Sequence, residues 1–404
     1  MALHVFLNEI LVGTLESRHG NQCLFQFDKN YLGHPNRPVL GRYFEENLSP
    51  FFEYSASRSQ VPPFFQNCLP EVDGALRKLI AKQANAKPHH EMALLQFLGE
   101  DLPGALIVRT APDPFQEEED PAPDSDRKMS TAHAQRLRFS LAGVQLKFSV
   151  LRNESKFTLP MSGMGGNWIV KLPDQKFDSV PQNEFATLNW AKDAGILVPH
   201  VELISISDIE GLPEGLNFRE SHALAIQRYD RGENKKRIHQ EDFAQILNVP
   251  PEKKYEHGNY TTLANIVRTI CGEEDYEQLL RRLVFMVISG NADAHLKNCS
   301  FIYPDGRRPR LSPAYDLVCT NAYLGTDRKL ALKLSKEDDF YRIRPWHFQL
   351  LAERIGASKE RALEIVQETV TRARESFQSN KKHWPLQESL IKAIETHLQK
   401  IKFL

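Results

Sequence analysis

The sequence has no hydrophobic run long enough to cross a membrane. Its longest uninterrupted apolar stretch, "LVFMVI", is far shorter than a bilayer requires. The N-terminal stretch "MALHVFLNEILVG" has no basic leader and is interrupted by Asn8 and Glu9, so we expect a strand of the mature protein and not a signal peptide. These absences predict a cytoplasmic protein with no membrane partner.

Cysteine is scarce, and no C-x-x-C pair is present. The five cysteines are odd in number and scattered along the chain, which favours reduced thiols over a disulfide framework or a zinc site. An excess of one charge is also lacking, since 51 Lys and Arg residues face 52 Asp and Glu residues. The chain therefore has no overall basic field for nucleic acid, although a local basic patch is not excluded.

The 404 residues suggest two or three domains, because domains usually span about 100–200 residues. Short alternating runs over residues 4–27 predict a small antiparallel sheet, followed by helical sequence over 62–83. Residues 93–109 predict a short helix and a closing strand. We therefore assign residues 1–110 to an N-terminal subdomain.

Residues 111–131 are rich in proline and acidic residues and poor in apolar ones, which predicts a linker or mobile loop. Residues 132–230 are strand-rich and contain a predicted helix over 182–194. Residues 231–404 are mostly helical, with predicted helices over 277–289, 358–377 and 386–401. The expected fold is α+β, with a β-rich part and a helical lobe that enclose a cleft, where nucleotide sites often lie.

Polar residues cluster in "GNADAHLKN", which follows one apolar run and precedes another. Asp293 and Asn298 have the spacing D-x-x-x-x-N, and Asp316 follows in "LSPAYDLV" after strand-like sequence. Phosphoryl transfer requires these residue types: an aspartate to accept the proton of the attacking hydroxyl, and oxygen ligands for Mg²⁺. Each residue alone is also compatible with a helix cap or a turn.

Two lysines lie in strand-like sequence that precedes this cluster. Lys171, in "WIVKLP", is expected to face the cleft and neutralise nucleotide phosphates, and Glu184 is a candidate partner; the alternative is an edge lysine that points to water. The stretch "FSLAGVQLKFS" lacks the P-loop pattern, but Gly143 and Lys147 suit a loop that covers phosphates. The glycines of "SGMGGNW" are more typical of a hairpin turn.

Several motifs in order resemble the HipA family of serine/threonine kinase toxins from bacterial type II toxin–antitoxin systems. They are "SLAGVQLK", "WIVKLP", "AIQRYDR", "HQEDFAQILNVPPEKKYE", "GNADAHLKN" and "LSPAYDL", with "FFQNCLPE" and "LLQFLGEDLPGALIV" in the N-terminal subdomain. The resemblance covers essentially the whole chain. It implies a two-lobed protein-kinase-like fold with Mg²⁺ and ATP between a kinase N-lobe (132–230) and a helical C-lobe (231–404).

The resemblance also implies roles for individual residues. Asp293 matches the catalytic aspartate, Asn298 and Asp316 match the metal-binding pair, and Lys171 matches the lysine that contacts the ATP phosphates. We expect His295 to support the nucleotide site. Lys297 is expected to contact phosphate or solvent.

Further matches concern adenine and regulation. Gln227 and Tyr229 match hinge positions whose backbone meets adenine. Ser140 matches a serine whose autophosphorylation displaces the phosphate loop and switches the enzyme off. At Leu146 this sequence departs from the family, which often has an acidic residue there.

The same resemblance implies a helix-turn-helix antitoxin as partner, operator DNA bound mainly through that antitoxin, and an aminoacyl-tRNA synthetase as substrate. A pseudokinase that acts as a corepressor is the alternative, but an intact set of Asp293, Asn298 and Asp316 argues against an inactive enzyme. A phosphohydrolase that uses Asp293 and His295 would need further His or Asp ligands nearby. The acceptor could also be a small molecule, since the fold alone does not determine it.

Overall fold

A computed structural model describes residues 1–18, 22–47, 49–55, 60–112, 146–153, 156–159, 165–212, 215–232, 236–324 and 328–402. Ser140, Gly143 and nearly all of the expected linker lie outside these residues. The described chain is α+β, as expected, with two main sheets in its first part and mostly helices in its second. Among its helices, none is long and apolar enough to cross a bilayer.

The N-terminal subdomain is built on a five-stranded antiparallel sheet in the order β4-β3-β2-β1-β5. Its strands are β1 (Ala2–Leu7), β2 (Ile10–Ser17), β3 (Gln22–Phe27), β4 (Phe51–Ser55) and β5 (Leu106–Thr110). Alternate side chains of β1 are buried, which is the period-two pattern that predicted this sheet. The sheet expected over residues 4–27 is thus confirmed.

Five helices accompany this sheet: α1 (Lys29–Gly33), α2 (Arg42–Glu46), α3 (Pro63–Gln66), α4 (Ala75–Gln83) and α5 (Glu91–Leu98). The helical sequence expected over 62–83 forms two helices, α3 and α4, and the residues 67–74 between them are not helical. Pro70 and Gly74 lie between the two helices, and both residues disfavour a helix interior.

A six-stranded sheet follows in the order β10-β7-β6-β8-β11-β9. Its strands are β6 (Lys147–Asn153), β7 (Lys156–Thr158), β8 (Trp168–Lys171), β9 (Val201–Ser205), β10 (Ile209–Glu210) and β11 (His222–Gln227). Lys147 of β6 pairs with Lys171 of β8, so both side chains leave the same face of the sheet. Helix α6 (Val180–Asp193) packs against β11 and β9 and includes Glu184.

The C-terminal part contains seven helices among its described residues: α7 (Phe243–Ile246), α8 (Tyr260–Cys271), α9 (Glu273–Ser289), α10 (Asn321–Leu324), α11 (Pro345–Arg354), α12 (Lys359–Asn380) and α13 (Glu388–Lys400). Two small sheets accompany them, β12-β13-β14 and β15-β16. Their strands are β12 (His239–Asp242), β13 (Ser300–Tyr303), β14 (Arg310–Leu311), β15 (Lys329–Leu334) and β16 (Glu337–Asp339).

The long helices agree with the sequence pattern. Ser358 caps α12 as expected, since its Oγ accepts a hydrogen bond from the Arg361 amide at 3.1 Å. Helix α9 begins at Glu273, before the expected start at 277, because its first turn is acidic and therefore suits the positive end of the helix dipole. It ends at Gly290, whose φ of +67° directs the chain into the polar stretch 291–298.

Candidate active site

A cavity of about 300 Å³ lies between the six-stranded sheet and the loop after α9. Every candidate site residue within the described part of the chain lines it: Lys147, Lys171, Gln227, Tyr229, Asp293, His295, Asn298 and Asp316. Ser140 and Gly143 are outside the described residues. The structure therefore gathers residues from β6, β8, the end of β11, the loop after α9 and the segment around residue 316 into one cleft.

Lys171 lies at the centre of the charged groups in this cleft. Its ammonium donates to the Glu184 carboxylate at 2.6 Å and forms an ion pair with Asp316. Lys171 is 6% exposed and Glu184 only 1%. The alternative of a lysine pointing to water is thus wrong, and the expected pairing with Glu184 is observed.

The opposite charges of Lys171 and Asp316 stabilise each other, whereas burial and the Asp316 carboxylate raise the pKa of Glu184. Burial alone would raise the pKa of Asp316, but Lys171 and Lys147 hold that pKa below its ordinary value. Burial likewise would lower the pKa of Lys171, yet the carboxylates of Asp316 and Glu184 raise it. Asp316 therefore stays ionised and Lys171 stays cationic at neutral pH.

Lys147 has a different environment although it projects from the same face. Burial lowers its pKa to about 8, and the positive charge of Lys171 adds to this effect, while Asp316 opposes it. A bound phosphate group would favour the charged form of this ammonium. The position therefore suits the phosphate contact expected of Lys147.

The loop after α9 is held by its own polar groups. Asn291 accepts from the Asp293 amide at 3.0 Å, and Asn298 donates to the Asp293 carbonyl at 2.8 Å. The Ala292 amide donates to Thr320 Oγ1 at 2.7 Å. These bonds hold Asp293 at the cleft, where its carboxylate is 53% exposed.

Asp316 and Asn298 are suitable for holding Mg²⁺. The amide nitrogen of Asn298 is used by the Asp293 carbonyl, so its oxygen is the end available to a cation. Asp316 contributes an ionised carboxylate. Among the described residues no cluster of three or more His, Cys, Asp or Glu side chains forms a metal site. A Mg²⁺ ion at this pair would need phosphate oxygens and water as its remaining ligands, as is usual for Mg²⁺ at nucleotides.

His295 and Lys297 differ in what they face. His295 Nε2 lies 4.0 Å from the Asp293 carboxylate, and burial together with Lys254 and Lys297 lowers its pKa to about 3, so its ring is neutral. Lys297 donates to the Asn67 carbonyl at 3.1 Å. In this structure Lys297 is thus directed at the N-terminal subdomain. The sequence had instead predicted that it contacts phosphate or solvent.

The expected hinge residues lie at the end of strand β11, with Gln227 as its last residue and Tyr229 two positions beyond it. The main-chain amides of Gln227 and Arg228 donate to the carbonyls of His200 and Asn167, both at 2.9 Å. Because the amide of Gln227 is already bonded to His200, its main-chain carbonyl is the group that would contact adenine. Tyr229 lies 6.0 Å from Tyr315, measured between ring centroids, at the wall of the cleft.

Two family models match this chain. The model of the HipA N-terminal domain matches residues 3–109, and the model of the HipA-like C-terminal domain matches residues 139–377. The chain belongs to the HipA family.

Individual relatives of this HipA-family chain are named as kinases. "Putative kinase Y4dM" of Sinorhizobium fredii is 38% identical over 96% of this chain and 93% of its own length. "Serine/threonine-protein kinase toxin HipA" of Shewanella oneidensis is 28% identical over 70% of this chain and 69% of its own. A solved complex of Shewanella oneidensis HipA with HipB and operator DNA has a TM-score of 0.73 at 21% identity, with 98% and 95% coverage. This last match shows a shared fold.

Some residues of this HipA-family cleft received no role from the sequence, although the motifs that contain them are part of the resemblance. Asn67, Cys68 and Glu71 come from the N-terminal subdomain and line the cavity, and Glu71 forms an ion pair with Lys254. Tyr255, next to Lys254, donates its hydroxyl to Asp293 at 2.5 Å. The motif "PPEKKYE" was recognised as part of the resemblance, but it carried no assigned role.

Proposed function

We propose that this chain is an ATP-dependent serine/threonine protein kinase and acts as the toxin of a toxin–antitoxin pair. The observation that supports this most directly is the Lys171 ammonium, held between Glu184 and Asp316 in the same cleft as Asp293. Protein kinases require such a lysine–glutamate ion pair beside the nucleotide phosphates, together with an aspartate that holds Mg²⁺. An aspartate across the cleft is well placed to receive a proton.

The proposed reaction uses these groups in turn. Lys171 and Lys147 contact the phosphates of ATP and lower the repulsion that an incoming oxygen meets. The acceptor hydroxyl bonds to the γ-phosphorus while the bond from that phosphorus to the ADP oxygen breaks, and the hydroxyl proton passes to Asp293. Mg²⁺ held by Asn298 and Asp316 would neutralise phosphate charge when bound.

The proton-accepting role is tested by Asp293→Asn. The change keeps size and hydrogen bonding but removes the acceptor, so we expect phosphate transfer from labelled ATP to fall by about 10²–10⁴-fold. ATP affinity should change little. Asp305→Asn makes the same chemical change at an exposed turn and should leave transfer unaltered. Equal transfer by the Asp293 variant and the parent chain would contradict the role assigned to Asp293, whereas no transfer by the parent chain would favour a nucleotide-binding corepressor.

The resemblance to the family supports the proposed partners. The Shewanella oneidensis relative is seen with HipB and operator DNA, and its fold is shared over nearly the whole chain. We infer a small helix-turn-helix antitoxin as partner here, with operator DNA reached mainly through it. The near-neutral charge of this chain is consistent with indirect DNA contact.

The substrate and the off-switch belong to the same proposal. We infer that an aminoacyl-tRNA synthetase is phosphorylated and that phosphorylation of Ser140 turns the enzyme off. A phosphoserine adds about −1.5 to −2 charge, which ATP's own phosphates would repel. Phosphoproteomics after brief expression of the parent chain and of Asp293→Asn would identify both sites. Absence of any synthetase phosphopeptide would remove the substrate claim and leave the kinase claim standing.

A further inference from the structure

The hydroxyl of Tyr255 occupies the position on Asp293 where an acceptor hydroxyl would bind. It donates to Asp293 Oδ1 at 2.5 Å, within the usual range for a hydroxyl that meets a carboxylate. The two residues are 38 positions apart in the sequence. In the kinase reaction proposed above, the same carboxylate must accept a hydrogen bond from the substrate.

The hydrogen bond to Asp293 and two contacts of the ring hold Tyr255 on three sides. The Lys254 ammonium lies 5.1 Å from the centroid of its ring, and the His295 ring meets it edge-on with centroids 5.1 Å apart. Lys254 is in turn paired with Glu71 of the N-terminal subdomain. Burial and the negative charge of Asp293 raise the pKa of the phenol, so it remains a donor at neutral pH.

The side chain nevertheless has room to move. Tyr255 is 47% exposed and lies in a turn between a short 3-10 helix and α8. It also lines a second surface groove of about 760 Å³, together with the N-terminal turn of α8, strand β15 and the end of α11. Rotation of the ring would break one hydrogen bond and two ring contacts without unfolding a helix.

We propose that Tyr255 is a gate at the acceptor site: its phenol substitutes for the substrate hydroxyl on Asp293, and a polypeptide acceptor must displace it. The proposal rests on the kinase function proposed above. Water makes too few contacts to displace a tyrosine held on three sides, so the gate suppresses hydrolysis of ATP. A polypeptide acceptor can displace Tyr255, because the residues that flank the acceptor's hydroxyl can bind in the second groove.

The test is ATP hydrolysis by the full chain with Mg²⁺ and without any protein acceptor. Tyr255→Phe keeps the ring and removes the hydroxyl, which opens Asp293 to water. We expect the rate of ATP hydrolysis to rise on the order of tenfold. This ratio corresponds to the free energy of one hydrogen bond to a charged group. The gain should vanish when Asp293→Asn is added. ATP affinity should stay within about twofold of the parent chain, because the phenol contacts no group assigned to the phosphates.

Tyr276→Phe is the matched control, since it removes a buried tyrosine hydroxyl that has no partner among the described residues. It should leave hydrolysis unchanged, and thermal unfolding of both variants confirms that they fold. Unchanged or slower hydrolysis in Tyr255→Phe, beside Asp293-dependent phosphate transfer by the parent chain, would overturn the gate alone. Absence of any Asp293-dependent turnover would overturn the kinase proposal as well.

Discussion

At the scale of single residues, Lys171 balances the two carboxylates of the cleft. Lys171→Met removes the cation and leaves Glu184 buried without a partner. We expect phosphate transfer to fall by about 10²–10³-fold. The free energy of unfolding should fall by about 3–5 kcal/mol, and protonation of Glu184 would reduce this loss of stability. Transfer assays and urea unfolding measure the two effects separately.

A second substitution distinguishes charge balance from packing. Adding Glu184→Gln to Lys171→Met removes the unpaired carboxylate, so most of the lost stability should return while phosphate transfer stays low. Lys156→Met, at the exposed ion pair with Glu210, is the control and should alter neither property. Recovery of activity in the double variant would show that Lys171 matters only through Glu184.

Residue types and local spacing predicted part of this site. Asp293 and Asn298 share one loop, and Lys171 is conspicuous as a charge in an apolar strand, so their sequence neighbourhoods suggested a role. Tyr255 and Asn67 could not be found in this way. Their contacts with Asp293 and Lys297 join positions 38 and 230 residues apart, and nothing in a polar turn or a short helix indicates which distant group it will meet.

At the scale of elements, Gly290 sets the direction in which the chain leaves α9. Its φ is +67°, and a Cβ there would lie 2.9 Å from Asn321 Cβ and 3.1 Å from His397 Nε2. Gly290→Ala should therefore cost about 1–2 kcal/mol for the left-handed backbone and more for the crowding. Because the same backbone leads to Asp293, phosphate transfer should fall as well, which kinetic assays and thermal unfolding would show.

Gly272 is the matched control for this prediction. Its φ is also positive, at +93°, but a Cβ there would meet no atom within 4 Å. Its ψ of −176° places it in a region that is essentially restricted to glycine, so Gly272→Ala should cost about 1–3 kcal/mol of stability without loss of transfer. Equal losses of transfer at the two positions would contradict the role assigned to Gly290.

Element ends of this kind were well predicted from the sequence where a glycine or a cap marks them, whereas the break between α3 and α4 was missed.

At the scale of the whole molecule, the N-terminal subdomain and the six-stranded sheet share their interior. One hydrophobic cluster includes Leu3, Val5 and Leu106 as well as Phe148 and Ala225. One core thus contains residues from both sides of the boundary expected near residue 110. Sequence could not reveal this, because apolar patterning shows which faces are buried but not which elements bury them.

A buried ionic cluster joins the same two parts beside the hinge. Arg228 donates to Asp101 of the N-terminal subdomain at 3.0 Å and to Asp230 at 2.8 Å, and Arg231 reaches Asp101 at 2.9 Å. The Gly104 amide donates to Asp230 at 2.8 Å. These groups are almost completely buried, so each charge depends on the others for its solvation.

A shared core and a shared ionic cluster predict that residues 1–110 and the kinase lobes unfold together. Urea unfolding followed by hydrogen exchange with mass spectrometry should give one midpoint for both parts. Arg228→Met should lower that midpoint everywhere by an amount equivalent to about 3 kcal/mol, because it leaves buried aspartates with fewer cations. Arg109→Met, at an exposed pair with Glu100, should shift it little. Earlier exchange confined to residues 1–110 would instead indicate an independently folding subdomain, and the ionic cluster would then be only a local contact.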